Sequence, residues 1–237
     1  MRCGVVTFPG SNCDHDIYHV LKHLLGQEVT FLWHDNADLR GCELLVLPGG
    51  FSYGDYLRAG AMASLSPIMG EVKRHADAGG LVLGVCNGFQ MLLESGLLTG
   101  AMRRNRHLRF LCQDVHLRVE RDDLPFTGGY SKGQILRMPI AHAEGNYVDT
   151  DENLDALESE NRVVFRYVGA DGALDDAANV NGSARSIAGI CSAGGNVLGM
   201  MPHPERCAEE VLGNSDGLAL FATAVGAAED AALGLAS

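Results

Sequence analysis

The residues with the most chemistry in them are Cys86, His203 and Glu205. Cys86 stands in Gly84-Val85-Cys86-Asn87-Gly88, with a glycine two residues to either side. This is the thiol counterpart of the G-x-S-x-G nucleophile elbow, a sharp strand-to-helix turn that holds the nucleophile in a strained conformation. Glycine is needed on both flanks because a Cβ would collide in so tight a turn. The alternative reading of Cys86 is a buried structural cysteine, packing as a small apolar side chain. A thiol nucleophile needs a base to take its proton and a carboxylate to orient that base. Pro202-His203-Pro204-Glu205 offers both, directly after an apolar run. The prolines stiffen the backbone, and residues two apart in an extended chain lie on the same side, so Glu205 can reach the His203 ring. Together the two segments point to thiol-dependent acyl transfer. His34, His107 and His142 are competing bases, and His142 with Glu144 repeats the His-x-Glu spacing. A metal centre built from His142, His203 and the glutamates has no recognised ligand spacing, so no metal is expected.

The elements that must position these residues follow from periodicity. Residues 3–8 read as a first strand and 9–12 as a loop. A helix is predicted from Asp14 to about Leu25, with Ile17, Val20, Leu21, Leu24 and Leu25 at helical spacing and Gly26 closing it. Strands are predicted over 28–33 and 44–47, a helix over 67–78, and the elbow strand over 81–85. Strands alternating with helices imply a parallel, doubly wound sheet. In such a sheet the site lies outside the carboxyl ends of the strands, which brings loops 9–12 and 49–55 to the Cys86 turn. After about Gly96 the pattern changes. Residues 109–119, 134–141, 163–168, 186–191 and 197–201 read as strands of an antiparallel extension, the last two joined by a Gly194-Gly195-Asn196 turn. Residues 149–161 form an acidic helix or loop, and a helix runs from about Asp216 to Asp230. The expected fold is α/β, a flavodoxin-like doubly wound sheet, mostly parallel with an antiparallel extension. With no linker or repeat in sight, residues 1–237 are expected to form a single domain.

Composition narrows the function class. The chain has 237 residues and a formal net charge of −12, which argues against a nucleic-acid binder. The one basic cluster, Arg103-Arg104-Asn105-Arg106, is too short to change that. No apolar run approaches a membrane span, and the first residues lack a signal peptide's apolar core, so the expected location is cytoplasmic. Seven cysteines without a C-x-x-C pair suit reduced thiols in such a compartment. The glycine-rich 49–55 loop lacks a following Lys-Ser/Thr and is not a P-loop, but its amides could face an oxyanion.

Gly84-Val85-Cys86-Asn87-Gly88-Phe89-Gln90 and Pro202-His203-Pro204-Glu205 resemble the signature segments of the class I, triad-type glutamine amidotransferases. Further segments, at 8–14 (FPGSNCD), 47–58 (LPGGFSYGDYLR), 100–106 (GAMRRNR), 139–147 and 199–206 (GMMPHPER), are similar to the glutaminase subunits that serve formylglycinamidine ribonucleotide synthesis. Ala143 departs from the pattern, standing where glycine is expected. The resemblance implies that Cys86 attacks the side-chain amide of glutamine, with His203 as base and then acid and Glu205 orienting it. It implies an oxyanion site of backbone N–H groups from Gly50, Phe51 and Asn87, with Gln90 helping to bind glutamine and the 103–109 loop near the charged end of the substrate. It also implies two partners: a large synthetase subunit, which uses ATP and Mg to convert formylglycinamide ribonucleotide, and a small bridging subunit. No cofactor is expected in this chain. A DJ-1-like protein would carry histidine where Asn87 stands. A silent binding subunit would have lost one of the three triad residues.

Overall fold

The computed structural model describes residues 1–232; the last five residues of the expected domain lie outside the described part. β1 (Arg2–Thr7) leads through a loop into α1 (Asp14–His19), which continues as a π-helical turn over Val20–Leu24. The helix expected up to Leu25 is therefore widened in its second half, where Leu25 N–H reaches back five residues to Val20 O. Val20 and Leu21 stay buried across this wider turn, and Gly26 ends it at φ +68°.

β2 (Glu28–Trp33), β3 (Leu44–Leu47), α2 (Pro67–Asp77), β4 (Leu81–Val85) and α3 (Asn87–Glu94) follow in order. The second half adds β5 (Ala101–Arg103), β6 (Leu111–Val119), β7 (Ile135–His142), β8 (Asn146–Val148) and α4 (Asp151–Ser159). It closes with β9 (Val163–Val168), β10 (Ile187–Cys191), β11 (Val197–Met200) and α5 (Leu218–Ala232). The acidic 149–161 segment is thus a helix. The Thr150 hydroxyl caps it by accepting from Asn153 N–H at 3.2 Å, with Asp151 and Glu152 at its positive end.

Nine strands form one sheet in the order β2-β1-β3-β4-β11-β10-β9-β6-β7. The first five run parallel, in the flavodoxin-like arrangement, and the rest is antiparallel. Every residue of β3, β4 and β11 is buried, as expected of strands covered on both faces. α1, α2, α3 and α5 pack against this parallel half.

One pairing matters most for function. β11 lies beside β4 in parallel, with Val197 opposite Val82 and Met200 opposite Val85. Both strands therefore end on the same edge, one at Cys86 and the other three residues before His203. Residues more than a hundred positions apart are brought together by this register alone.

A two-stranded ribbon, β5 with β8, is absent from the sequence expectation. Three-residue strands are too short to show an alternation. No helix among the described residues is long and apolar enough to cross a membrane.

Candidate active site

Cys86 adopts φ +50° and ψ −105° between β4 and α3, a conformation costly for any residue with a Cβ. The turn survives because its flanks carry no side chain. A Cβ on Gly88 would run into the Leu47 carbonyl, and one on Gly84 would lie 2.8 Å from the Gly88 backbone. The Cys86 N–H donates to Met200 O at 2.8 Å, tying the elbow to β11. The collision expected of both glycines is what the backbone shows.

His203 and Glu205 are buried beside it, at 1% and 3% exposure, with Cys86 at 4%. The His203 N–H donates to Pro139 O at 2.9 Å, so β7 fixes where the histidine leaves β11. Glu205 Oε1 lies 2.6 Å from His203 Nδ1. An ionised carboxylate only accepts, so Nδ1 carries the proton and Nε2 is left with no partner. Burial works to lower the His203 pKa. The Glu205 carboxylate, and after it the Cys86 sulfur, outweigh burial and hold the pKa well above the ordinary histidine range. Gly49 lets the ring lie against the backbone, since a Cβ there would stand 2.6 Å from His203 Cε1.

His142 is a weaker base than His203. It is buried and its pKa is pushed down to about 4, by burial first and by His203 second. Its Nδ1 donates to Asn105 Oδ1 at 3.1 Å, and Asn105 also bonds Gly145 N–H, His142 O and Arg109 O. This fully bonded asparagine pins the basic loop to the turn after β7. His34 bonds Tyr53 Oη at 3.0 Å, and His107 is exposed; neither lines the cavity at Cys86. Ala143 is exposed and free of left-handed strain, so the backbone there makes no demand for glycine.

That cavity, about 280 Å³, is lined by Gly50, Phe51, Asp55, Cys86, Gln90, Arg104 and the 141–144 turn. The expected oxyanion donors need one correction. The Phe51 N–H donates to Gly10 O at 3.0 Å and is committed to holding the two loops together. Gly50 and Asn87 N–H carry no such bond among the described residues. Gln90 lines the cavity, but its amide is engaged: Oε1 accepts from Asn87 Nδ2 at 2.8 Å and Nε2 donates to Glu144 O at 2.6 Å. Asn87 Oδ1 in turn accepts from Ser52 N–H, fastening the glycine-rich loop to the elbow helix.

Cys13 is a neighbour that sequence reasoning passed over. Its sulfur, the His203 ring and Glu205 offer atoms within 4.8 Å of one another, and Arg206 Nη2 approaches the sulfur at 3.0 Å. Burial raises the Cys13 pKa, so the thiol stays neutral. It stands on an ordinary loop with no elbow, and nothing in its spacing marks it among seven cysteines, all of them free.

The family model for the CobB/CobQ-like glutamine amidotransferase domain matches residues 1–221. The chain is 56% identical over 227 residues to the phosphoribosylformylglycinamidine synthase subunit PurQ of Koribacter versatilis, covering 96% of this chain and 98% of that protein. It belongs to this family of glutamine amidotransferases. The PurQ subunit of Moorella thermoacetica is 56% identical over 225 residues, covering 95% of each chain. Among solved structures, a chain of Thermotoga maritima PurLQS superposes with a TM-score of 0.84 at 45% identity, covering 95% of this chain and 97% of that one. The glutaminase domain of Trypanosoma brucei CTPS with bound acivicin shares the fold, with a TM-score of 0.63 at 13% identity and coverage of 97% and 94%.

Proposed function

We propose that this chain is the glutaminase subunit of a phosphoribosylformylglycinamidine synthase. It hydrolyses glutamine to glutamate and passes ammonia to a large synthetase subunit, which uses ATP and Mg to convert formylglycinamide ribonucleotide to formylglycinamidine ribonucleotide. A small third subunit bridges the two, and this chain carries no cofactor of its own. The whole chain acts as one domain in the cytoplasm; its seven free cysteines suit a reducing compartment. The observation that carries the reading is the strained Cys86 elbow with the buried His203–Glu205 pair beside it.

In this mechanism Cys86 Sγ attacks the side-chain amide carbon while its proton passes to His203 Nε2. The oxygen of the tetrahedral intermediate takes hydrogen bonds from Gly50 and Asn87 N–H. Collapse breaks the carbon–nitrogen bond, and the Nε2 proton leaves with ammonia. Water then adds to the γ-glutamyl thioester with its proton taken by His203, and the sulfur departs reprotonated as glutamate forms. Glu205 keeps Nε2 turned to the sulfur and steadies the imidazolium that forms twice per turnover.

The test is glutamate release by the purified chain, alone and assembled with its synthetase subunits. Activity that rises on assembly and disappears in Cys86→Ala is the expected result. A Cys86→Ala protein as active as wild type would overturn the reading.

A further inference from the structure

Cys13, His203 and Glu205 each offer one ligand atom, and the three atoms lie within 4.8 Å of one another. All three residues are buried. Glu205 Oε1 takes the Nδ1 proton of His203, but Oε2, buried with it, has no partner among the described residues. An orphaned carboxylate oxygen in a dry site is a standing cost, relieved by a cation that reaches it. Gly49 leaves room for one. The point where a Cβ on Gly49 would stand lies 3.1 Å from Cys13 Sγ and 3.3 Å from His203 Nδ1.

A cavity of about 240 Å³ leads to the cluster, lined by Cys13, His203 and Arg206 and by the exposed Phe110 and Cys112. It is separate from the cavity that holds Cys86: Gly50, Phe51 and Ala141 line both, while His203 lines the first and Cys86 the second. The Cys13 S–H points to Asn12 Oδ1 at 3.3 Å, and Arg206 Nη2 donates to the sulfur at 3.0 Å, so a sulfur lone pair faces the guanidinium. Arg206 is the one cation in the way. It is partly exposed, and Asp16, a surface carboxylate 3.4 Å from its Nε, gives it a place to withdraw to.

We infer that Cys13 Sγ, His203 Nδ1 and Glu205 form a site for one zinc-class divalent cation, an inhibitor rather than a cofactor, which reversibly silences the chain. Thiolate, imidazole and carboxylate together suit zinc, whereas calcium and magnesium want oxygen ligands throughout. Zinc bond lengths put tetrahedral ligand atoms roughly 3.3–3.8 Å apart, so the cluster has to close by about 1 Å at most, with water from the cavity as fourth ligand. The Cys13 thiol gives up its proton to solvent. His203 keeps its proton but moves it from Nδ1, now a metal ligand, to Nε2. An Nε2 that already carries a proton has no lone pair to accept one from Cys86. This silencing rests on the glutaminase reading; the binding of zinc does not.

The test uses zinc itself. Cys86→Ala removes the thiol that zinc would block in any cysteine enzyme, and the full chain carrying it should still bind one zinc ion. Adding Cys13→Ala should weaken that binding by more than the roughly 10–100-fold that loss of an outer partner costs. X-ray absorption of zinc on Cys86→Ala should show one sulfur at about 2.3 Å, with nitrogen and oxygen at about 2.0–2.2 Å. In the enzyme assembled with its synthetase subunits, zinc should lower kcat for glutamate release, leave KM for glutamine unchanged, and be reversed by a zinc-selective chelator. Cys13→Ser should release glutamate normally and resist zinc. If that variant is inactive without zinc, the binding and absorption measurements still decide. Zinc held equally with and without Cys13, a sulfur count other than one, or binding that leaves kcat intact would overturn the inference. Absence of glutamate release by wild type would instead overturn the glutaminase reading and leave the zinc site standing.

Discussion

Replacing Glu205 by glutamine separates charge from shape. The glutamine carbonyl can still accept from His203 Nδ1, so the ring keeps its place and its tautomer, while the negative charge 2.6 Å away is gone. That charge is the largest influence raising the His203 pKa, and burial, which opposes it, remains. Charge centres about 4 Å apart interact by ~4 kcal/mol at an effective dielectric of ~20. If most of this supports the imidazolium in the transition state, glutamate release in Glu205→Gln should fall by about 10³-fold at 1.36 kcal/mol per decade. The fall should appear in kcat, with KM for glutamine nearly unchanged. Stability should respond in a definite sense. A histidine whose folded pKa is raised contributes stability that is fully present below its unfolded value near 6.5 and is lost as the pH rises through the folded value. The variant should therefore lose most of its Tm difference from wild type at high pH. Steady-state glutamate release, with Tm measured across pH 5 to 9, reads both effects. Activity within threefold of wild type would refute the charge argument.

Three further outcomes follow from particular contacts. Gly88→Ala drives a Cβ into the Leu47 carbonyl, where neither backbone can give way; the expected loss is about 3 kcal/mol, ~6–12 °C in Tm for a chain of this size, together with activity. Cys13→Ala should keep γ-glutamyl thioester formation, trapped by acid quench, because the Cys13 thiol is neutral and off the elbow; thioester formation that disappears would make Cys13 the nucleophile. In kcat/KM for glutamine, an acid limb near pH 6 should appear as Asp55 takes up a proton and its charge leaves the cavity it shares with Cys86, Glu144, Arg104 and His142. That limb should be missing in Asp55→Asn, and its persistence there would assign it to another group.

Much of the site is legible in local sequence because its constraints are local. The elbow needs Gly84 and Gly88 around Cys86, and both the glycines and the collision they avoid are visible in a heptapeptide. The Glu205 reach to His203 is a two-residue relation, fixed by chain geometry before any fold exists. Strands β3, β4 and β9 were readable because buried strands are nearly continuous apolar runs bounded by turns.

Other parts were decided only by tertiary structure. The parallel register of β11 on β4 puts His203 beside Cys86, and no local pattern states which strand neighbours which. The loss of Phe51 N–H to Gly10 O, the placing of Cys13 against His203 and the depressed pKa of His142 all depend on what packs where. The β5–β8 ribbon is too short to signal itself, yet it carries Arg104 to the cavity where Asp55 and Glu144 wait. Sequence determined the Cys86 elbow and the His203–Glu205 pair, because those are fixed by spacing along the chain. Tertiary structure decided which charges line the cavity at Cys86, because charges from three distant segments meet only when the sheet closes their loops onto one edge.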